Sequence, residues 1–171
     1  MNYFFYTLFL CCFSAFGFSQ NNSSIDFTIK NLGVNVDGHF TTFTINAEFD
    51  TNNELKKLSG KITASSIKTG IDNRDEHLLE EDYFDVVNHQ YILLESTAIT
   101  KESLNKYNVK ANITLKGKTQ SITIPVITRQ EKSMHKITSY FEINRKDFDV
   151  GGGSFVMSKT VKIHVTHYQE L

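Results

Sequence analysis

Ala64–Tyr91, ASSIKTGIDNRDEHLLEEDYFDVVNHQY, is the one stretch of the chain in which strand-like sequence gives way to a helical signal. Asp72 or Asn73 offers a side-chain oxygen to cap a helix start. Asp75, Glu76, Glu80 and Glu81 load the first turns with negative charge, which the helix dipole favours there. Leu78, Leu79, Phe84, Val86 and Val87 supply apolar surface at a spacing that predicts a short helix, about residues 73–82, and a loop packing back onto something hydrophobic. A single helix in an otherwise β-patterned chain needs a surface to cover, and the expectation is a lid at one end of a barrel.

Working outward, the flanking sequence alternates. Ile25, Phe27 and Ile29 alternate with Asp26, Thr28 and Lys30, and Val34, Val36, Phe40, Phe43, Ile45, Ala47 and Phe49 follow the turn at Asn31–Gly33. The phase slips between Phe40 and Phe43, where Gly38 or the Thr41–Thr42 pair could host a bulge. Leu58, Ile62 and Ala64 lead into the helical stretch, and Ile92, Leu94, Ser96 and Ala98 form one face of the strand beyond it. The cleanest alternation sets Tyr107, Val109, Ala111, Ile113 and Leu115 against Asn108, Lys110, Asn112 and Thr114. Lys116–Lys118 reads as a hairpin turn into Ile122, Ile124 and Val126, and Pro125 as an edge or bulged position. Ile137, Ser139, Phe141 and Ile143 repeat the pattern, 148–158 is a glycine-rich flexible loop, and Val161, Ile163 and Val165 close the chain. About eight strands with one apolar and one polar face predict an all-β, antiparallel barrel, wide enough to be filled by side chains or to hold one slender ligand.

The lining expected of that barrel is Phe27, Ile29, Phe43, Ile45, Phe49, Ile62, Ile92, Leu94, Val109, Ile113, Phe141 and Ile143, with Leu78 and Phe84 from the insert. It holds no charged residue, so a cavity there prefers hydrocarbon.

The first 19 residues contain no Asp, Glu, Lys or Arg, and the apolar run Tyr3–Phe18 is shorter than the ~20 residues a membrane-spanning helix needs. Gly17 and Ser19 fit signal-peptide cleavage before Gln20, so 1–19 is expected to be a leader and 20–171 one exported domain, periplasmic or secreted. A retained anchor is the rival reading. Leu10 stands where a lipobox wants a small residue before Cys11, which argues against lipidation at Cys11 or Cys12. Past the leader there is no cysteine, so stability must come from the core. The 18 basic and 19 acidic residues are interleaved, and no basic block points to nucleic acid.

Arg74, Asp75 and His77 meet where the helix begins. At a cavity mouth, Arg74 and His77 could donate to a polar or anionic head group. The plainer reading has Asp75 serving the helix and Arg74 pairing with a carboxylate. His77 and Glu81 share a helix face but lack a third ligand at a diagnostic spacing, and His164 and His167, three apart on a strand, point to opposite faces. Gly151–Ser154 is neither a nucleophile elbow nor a phosphate loop. No metal site and no catalytic mechanism assemble from these residues.

Several segments together resemble the YceI-like family of exported lipid-binding proteins. The most specific is ASSIKTGIDNRDEHLLEEDYFDV (64–86), joined in order by IDFTIKNLGVNVDGHF (25–40), ANITLKGKTQSITIPV (111–126) and FEINRKDFDV (141–150). The resemblance covers Ser24 to about Thr166 and implies an elongated, lipocalin-like antiparallel barrel that carries a polyisoprenoid or fatty-amide amphiphile. Arg74, Asp75 and His77 would then lie near one end. Gln90 stands where the family usually has proline, and Asp149 where it commonly has glycine after the Arg-x-x-Phe phenylalanine; both depart from the pattern in connections. The expected function is non-enzymatic binding, storage or transport of a polyisoprenoid, isoprenoid quinone or fatty-acyl amide, with no cofactor beyond that guest and transient contact with a membrane or lipid donor. Two alternatives stand beside it: an enzyme of lipid or quinone metabolism using Arg74, Asp75 and His77, and a filled barrel acting through a protein partner.

Overall fold

The computed structural model describes residues 23–171, so the expected leader 1–19 lies outside the described residues. The strands are β1 (Ser24–Asn31), β2 (Val34–Phe40), β3 (Phe43–Phe49), β4 (Leu55–Thr63), β5 (Ile67–Lys68), β6 (Tyr91–Ser103), β7 (Lys106–Leu115), β8 (Lys118–Glu131), β9 (Met134–Asn144) and β10 (Met157–Glu170). One helix, α1 (Asp72–Leu78), and two 3-10 turns, Ala64–Ser66 and Arg145–Phe148, complete the described elements. In β7 the period-two pattern becomes structure directly: Tyr107, Val109, Ala111, Ile113 and Leu115 are buried while Lys106, Lys110 and Asn112 face solvent.

All ladders are antiparallel, in the order β3-β4-β6-β7-β8-β9-β10-β1-β2-β5. The sheet curls until β3 meets the end of β10, and a side chain makes the seam. Gln169 Nε2 donates to the Ala47 carbonyl at 2.8 Å, while its Oε1 accepts the Ala47 N–H at 3.0 Å. The amide of Gln169 thus stands in for a strand residue and satisfies an edge that would otherwise be unpaired.

Ten strands form among the described residues where about eight were expected. One extra arises at the phase slip, which is not a bulge: Thr41–Thr42 is a bend that ends β2 and starts β3, and the two strands take different partners. Gly38 has another task. It lies opposite Phe27, and a Cβ there would sit 2.3 Å from the Phe27 ring. The face drawn through Ala98 also breaks, because the β6–β7 register shifts between Ser96 and Ala98 and brings Ile99 opposite Val109.

Pro125 stands at a local edge, as its missing N–H suggests. It lies within β8, yet the β8–β9 ladder runs only from Glu131↔Met134 to Val126↔Ser139. Its carbonyl accepts the Ser139 hydroxyl at 2.7 Å, so this backbone face looks toward β9, where proline has no N–H to give. Past that point β8 pairs with β7 alone and β9 with β10 alone. Phe148, fully buried, packs with Ile122, Phe141 and Ile143 beside the split, and Gln120 Nε2 donates to the Asp147 carbonyl at 3.0 Å.

α1 is shorter than the predicted 73–82 and starts at Asp72. Neither Asp72 nor Asn73 caps it; Ile71 precedes it without a side-chain bond. After Leu78 the chain doubles back, with the Phe84 and Val86 N–H groups donating to the carbonyls of Leu78 and Leu79 and Asp85 at φ +48°. This fold-back brings Phe84 onto Ile25, Phe40, Ile67 and Ile92 inside the sheet, while Val87 stays exposed.

Candidate functional site

The interior has two zones. In one, Ala47, Leu55, Leu58, Tyr107, Val109, Ala111, Ile124, Val126 and Ile137 pack against one another, with Leu58, Ile124, Val126 and Ile137 on its border with the other, and the Phe49 ring stacks on His135 at 3.8 Å beside them. The other is hollow. A cavity of about 240 Å³ runs beside the inward residues of β10, from Met157 through Val161, Ile163 and Val165 to His167. At ~3.3 Å per residue that is on the order of 30 Å along the strand.

Eleven of the expected lining residues face this cavity: Phe27, Ile29, Ile45, Ile62, Leu78, Phe84, Ile92, Leu94, Ile113, Phe141 and Ile143. Three do not. Val109 and Phe49 belong to the packed zone, and Phe43 packs with the cluster around Ile25, Phe40 and Ile67. Alternation tells which face of a strand points inward, not how closely the opposite walls approach.

The polar trio separates. Arg74 lines the cavity, but its Nε donates to the Thr69 hydroxyl and its Nη2 to the Thr69 carbonyl, both at 2.7 Å. Asp75 is buried and accepts the Thr69 N–H at 2.8 Å as well as the Thr69 hydroxyl; it anchors the turn before α1. His77 is exposed, 2.8 Å from Glu80 and edge-on to the Tyr83 ring. These three side chains do not converge on one reacting point.

Two arginines border the cavity besides the uncharged residues expected there: Arg74, already expected at its mouth, and Arg145. Arg145 follows β9 in a 3-10 turn, outside any alternating register, so periodicity could not find it. Only 2% exposed, it has no carboxylate partner among the described residues. Its guanidinium instead donates to the carbonyls of Ser158 (2.8 Å), Val150 (2.6 Å) and Met157 (3.0 Å), with longer bonds to Ser154 and Gly152. Burial holds its pKa below the usual guanidinium value. The glycine-rich 148–158 segment is therefore wrapped around one side chain. Gly151 N–H donates to the Asp82 carbonyl at 2.8 Å and ties this loop to the α1 insert, and a Cβ at Gly151 would meet Met157, Arg145 and Tyr83. Asp149, the residue in the glycine-favouring place, adopts φ +55°, and its carboxylate pairs with Lys118, which lowers its pKa.

Burial also pushes His135 and His167 below the ordinary imidazole value of 6.5, with Gln169 opposing the effect at His167. A folded-state pKa below the unfolded one means that the unfolded chain takes up protons first as pH falls. The stability these neutral rings contribute is complete above about pH 6.5 and is lost progressively below it. Urea midpoints should hold level from about pH 8 to 7 and decline from about pH 6.5 toward 5. His135→Phe should flatten part of that decline; a midpoint that rises on acidification contradicts it.

Comparison with known proteins follows the same lines. A UPF0312 protein of Staphylococcus epidermidis is 29% identical over 166 residues, spanning 88% of this chain and 94% of its own length. One from Staphylococcus aureus is 30% identical over the same span. Among solved structures, Burkholderia cenocepacia BcnA superposes with a TM-score of 0.81 at 25% identity, covering 86% of this chain and 96% of its own. A polyisoprenoid binding domain from Saccharophagus degradans superposes with a TM-score of 0.67 at 17% identity, covering 87% and 94%, and at that identity shows the shared fold alone. The YceI-like domain family model matches residues 16–167, and with the barrel, the insert and the apolar cavity in place, this chain belongs to the YceI-like family.

Proposed function

We propose that this protein is a non-enzymatic carrier that holds one long-chain amphiphile, a polyisoprenoid, isoprenoid quinone or fatty-acyl amide, in the hollow zone of its barrel. The cavity carries this reading: long, narrow, and lined almost throughout by aliphatic and aromatic side chains. The polyisoprenoid binding described for the Saccharophagus degradans domain of the same fold supports it. Such a site needs no special polar chemistry, because each buried methylene contributes about 0.8 kcal/mol, close to fourfold in affinity. Arg74, Asp75 and His77, being spread over a cavity wall, a turn and the surface, give the enzyme reading no support.

Loading from a membrane fits the same end of the molecule. Leu32 and Phe155 are almost wholly exposed beside Val34 and Val156, and the Leu32 N–H donates to the Val156 carbonyl at 2.9 Å. These apolar tips adjoin Asn31 and Met157, which line the cavity, so a guest could pass from lipid to lumen with little travel through water. The filled-barrel reading keeps one observation in its favour, the packed zone around Val109.

The test is a chain-length series. Prenols and fatty amides of increasing length, titrated against a displaced fluorescent lipid, should gain about fourfold in affinity per methylene-sized increment until the cavity is filled, then level off. Absence of saturable binding at every length contradicts the proposal.

A further inference from the structure

Resting on the carrier reading, we infer that the guest enters head first and that His167 holds its polar end at the inner limit of the cavity, which selects a neutral, oxygen-bearing head group: an alcohol, a carbonyl or an amide. Several polar groups along the cavity already have their hydrogen bonds made within the protein. At the insert end, the Nε and Nη2 of Arg74 are taken by Thr69, and the guanidinium of Arg145 by five backbone carbonyls. Ser139, farther in, donates to Pro125. His167 is different. Its Nδ1 lies 3.1 Å from Ser23 Oγ, which also accepts the Tyr168 N–H at 3.0 Å; in the tautomer that this role requires, the Ser23 hydroxyl donates to Nδ1 and the imidazole carries its own hydrogen on Nε2. Nε2 is buried and makes no hydrogen bond of ordinary geometry among the described residues; the nearby Gln169 amide, which raises the ring's pKa, spends both its ends on the Ala47 backbone.

A buried donor left unmade costs about 1–3 kcal/mol, which a guest oxygen would recover. His167 borders the cavity where Leu58, Val126 and Ile137 of the packed zone end it, and Ile137 is its register partner on β9. The packed zone then acts as the floor against which the head group stops. Among the described residues no carboxylate lines the cavity to compete for the N–H, and burial disfavours the charged ring, which suits an uncharged oxygen better than a phosphate.

The experiment compares hexaprenol with squalene, isoprenoids of equal carbon number with and without a hydroxyl, on wild-type protein and on His167→Leu and His167→Gln. Wild type should bind hexaprenol about tenfold more tightly than squalene. His167→Leu should erase that preference by weakening hexaprenol alone, and His167→Gln, which keeps an N–H, should restore part of it. In ¹⁵N-labelled wild type the His167 Nε2 resonance should shift with hexaprenol and not with squalene, a readout independent of how well the variants fold. A resonance unmoved by hexaprenol, or equal weakening of both probes in His167→Leu, overturns this inference while leaving the carrier reading intact. Wild type that takes up neither probe overturns both.

Discussion

Replacing Arg145 with Leu should lower the unfolding free energy by about 3–5 kcal/mol, the largest single-residue effect expected in this protein. The buried guanidinium is the donor for the carbonyls of Val150, Ser158 and Met157 and of two further loop residues. Without it those carbonyls stay dry and unpaired, and each carries a desolvation cost of about 1–3 kcal/mol unless the loop opens to water. Arg145→Lys should recover only part of the loss, because an ammonium lacks the planar fork that reaches several carbonyls at once. Urea unfolding followed by circular dichroism gives the number. A loss under about 1 kcal/mol would mean that the loop is held by Phe148 and the Gly151–Asp82 bond instead.

The second large effect is on binding. Ile163 lies midway along the hollow zone, between Phe27 of β1 and Phe141 of β9, and faces the cavity. An indole there should block the lumen. Displacing about five methylenes at about 0.8 kcal/mol each costs about 4 kcal/mol, close to a thousandfold in affinity. Because the side chain grows into empty space, the urea midpoint should hardly move, which separates a filled tunnel from an unfolded protein. Lys162→Ala, on the outer face of the same strand, should leave binding unchanged. Unaltered affinity in Ile163→Trp would place the guest elsewhere.

Much of the barrel is legible in the sequence because one face of each strand is buried and the side-chain period is two. Residues 107–115 are the plainest case. Legibility fails where the backbone leaves that period. The shift at Ser96–Ala98 moves the inward set by one residue, and the bend at Thr41–Thr42 turns one apparent strand into two. Pro125 keeps its ladder on one side only, a condition that a lone proline signals without saying which neighbour is lost. In α1, the acidic residues that look like caps sit inside the first turn, and Asp75 goes to Thr69.

The site is harder to read than the fold for two physical reasons. Whether an inward residue borders space or another side chain depends on the distance between walls, so Val109 and Ile113, four residues apart on the same face of β7, fall into the packed and hollow zones' different clusters. Arg145 and the orphan nitrogen of His167 matter through hydrogen bonds that are made or left unmade in three dimensions, which spacing along the chain does not encode. The resemblance did include the segment FEINRKDFDV, and Arg145 stands at its centre.

The central claim is that the hollow zone holds a hydrophobic guest. Purified protein should be extracted with organic solvent and the extract examined by mass spectrometry, before and after incubation with a mixture of prenols, quinones and fatty amides. The account predicts about one long-chain, neutral amphiphile per chain, absent from the extract of Ile163→Trp. An extract without lipid under both conditions would contradict it.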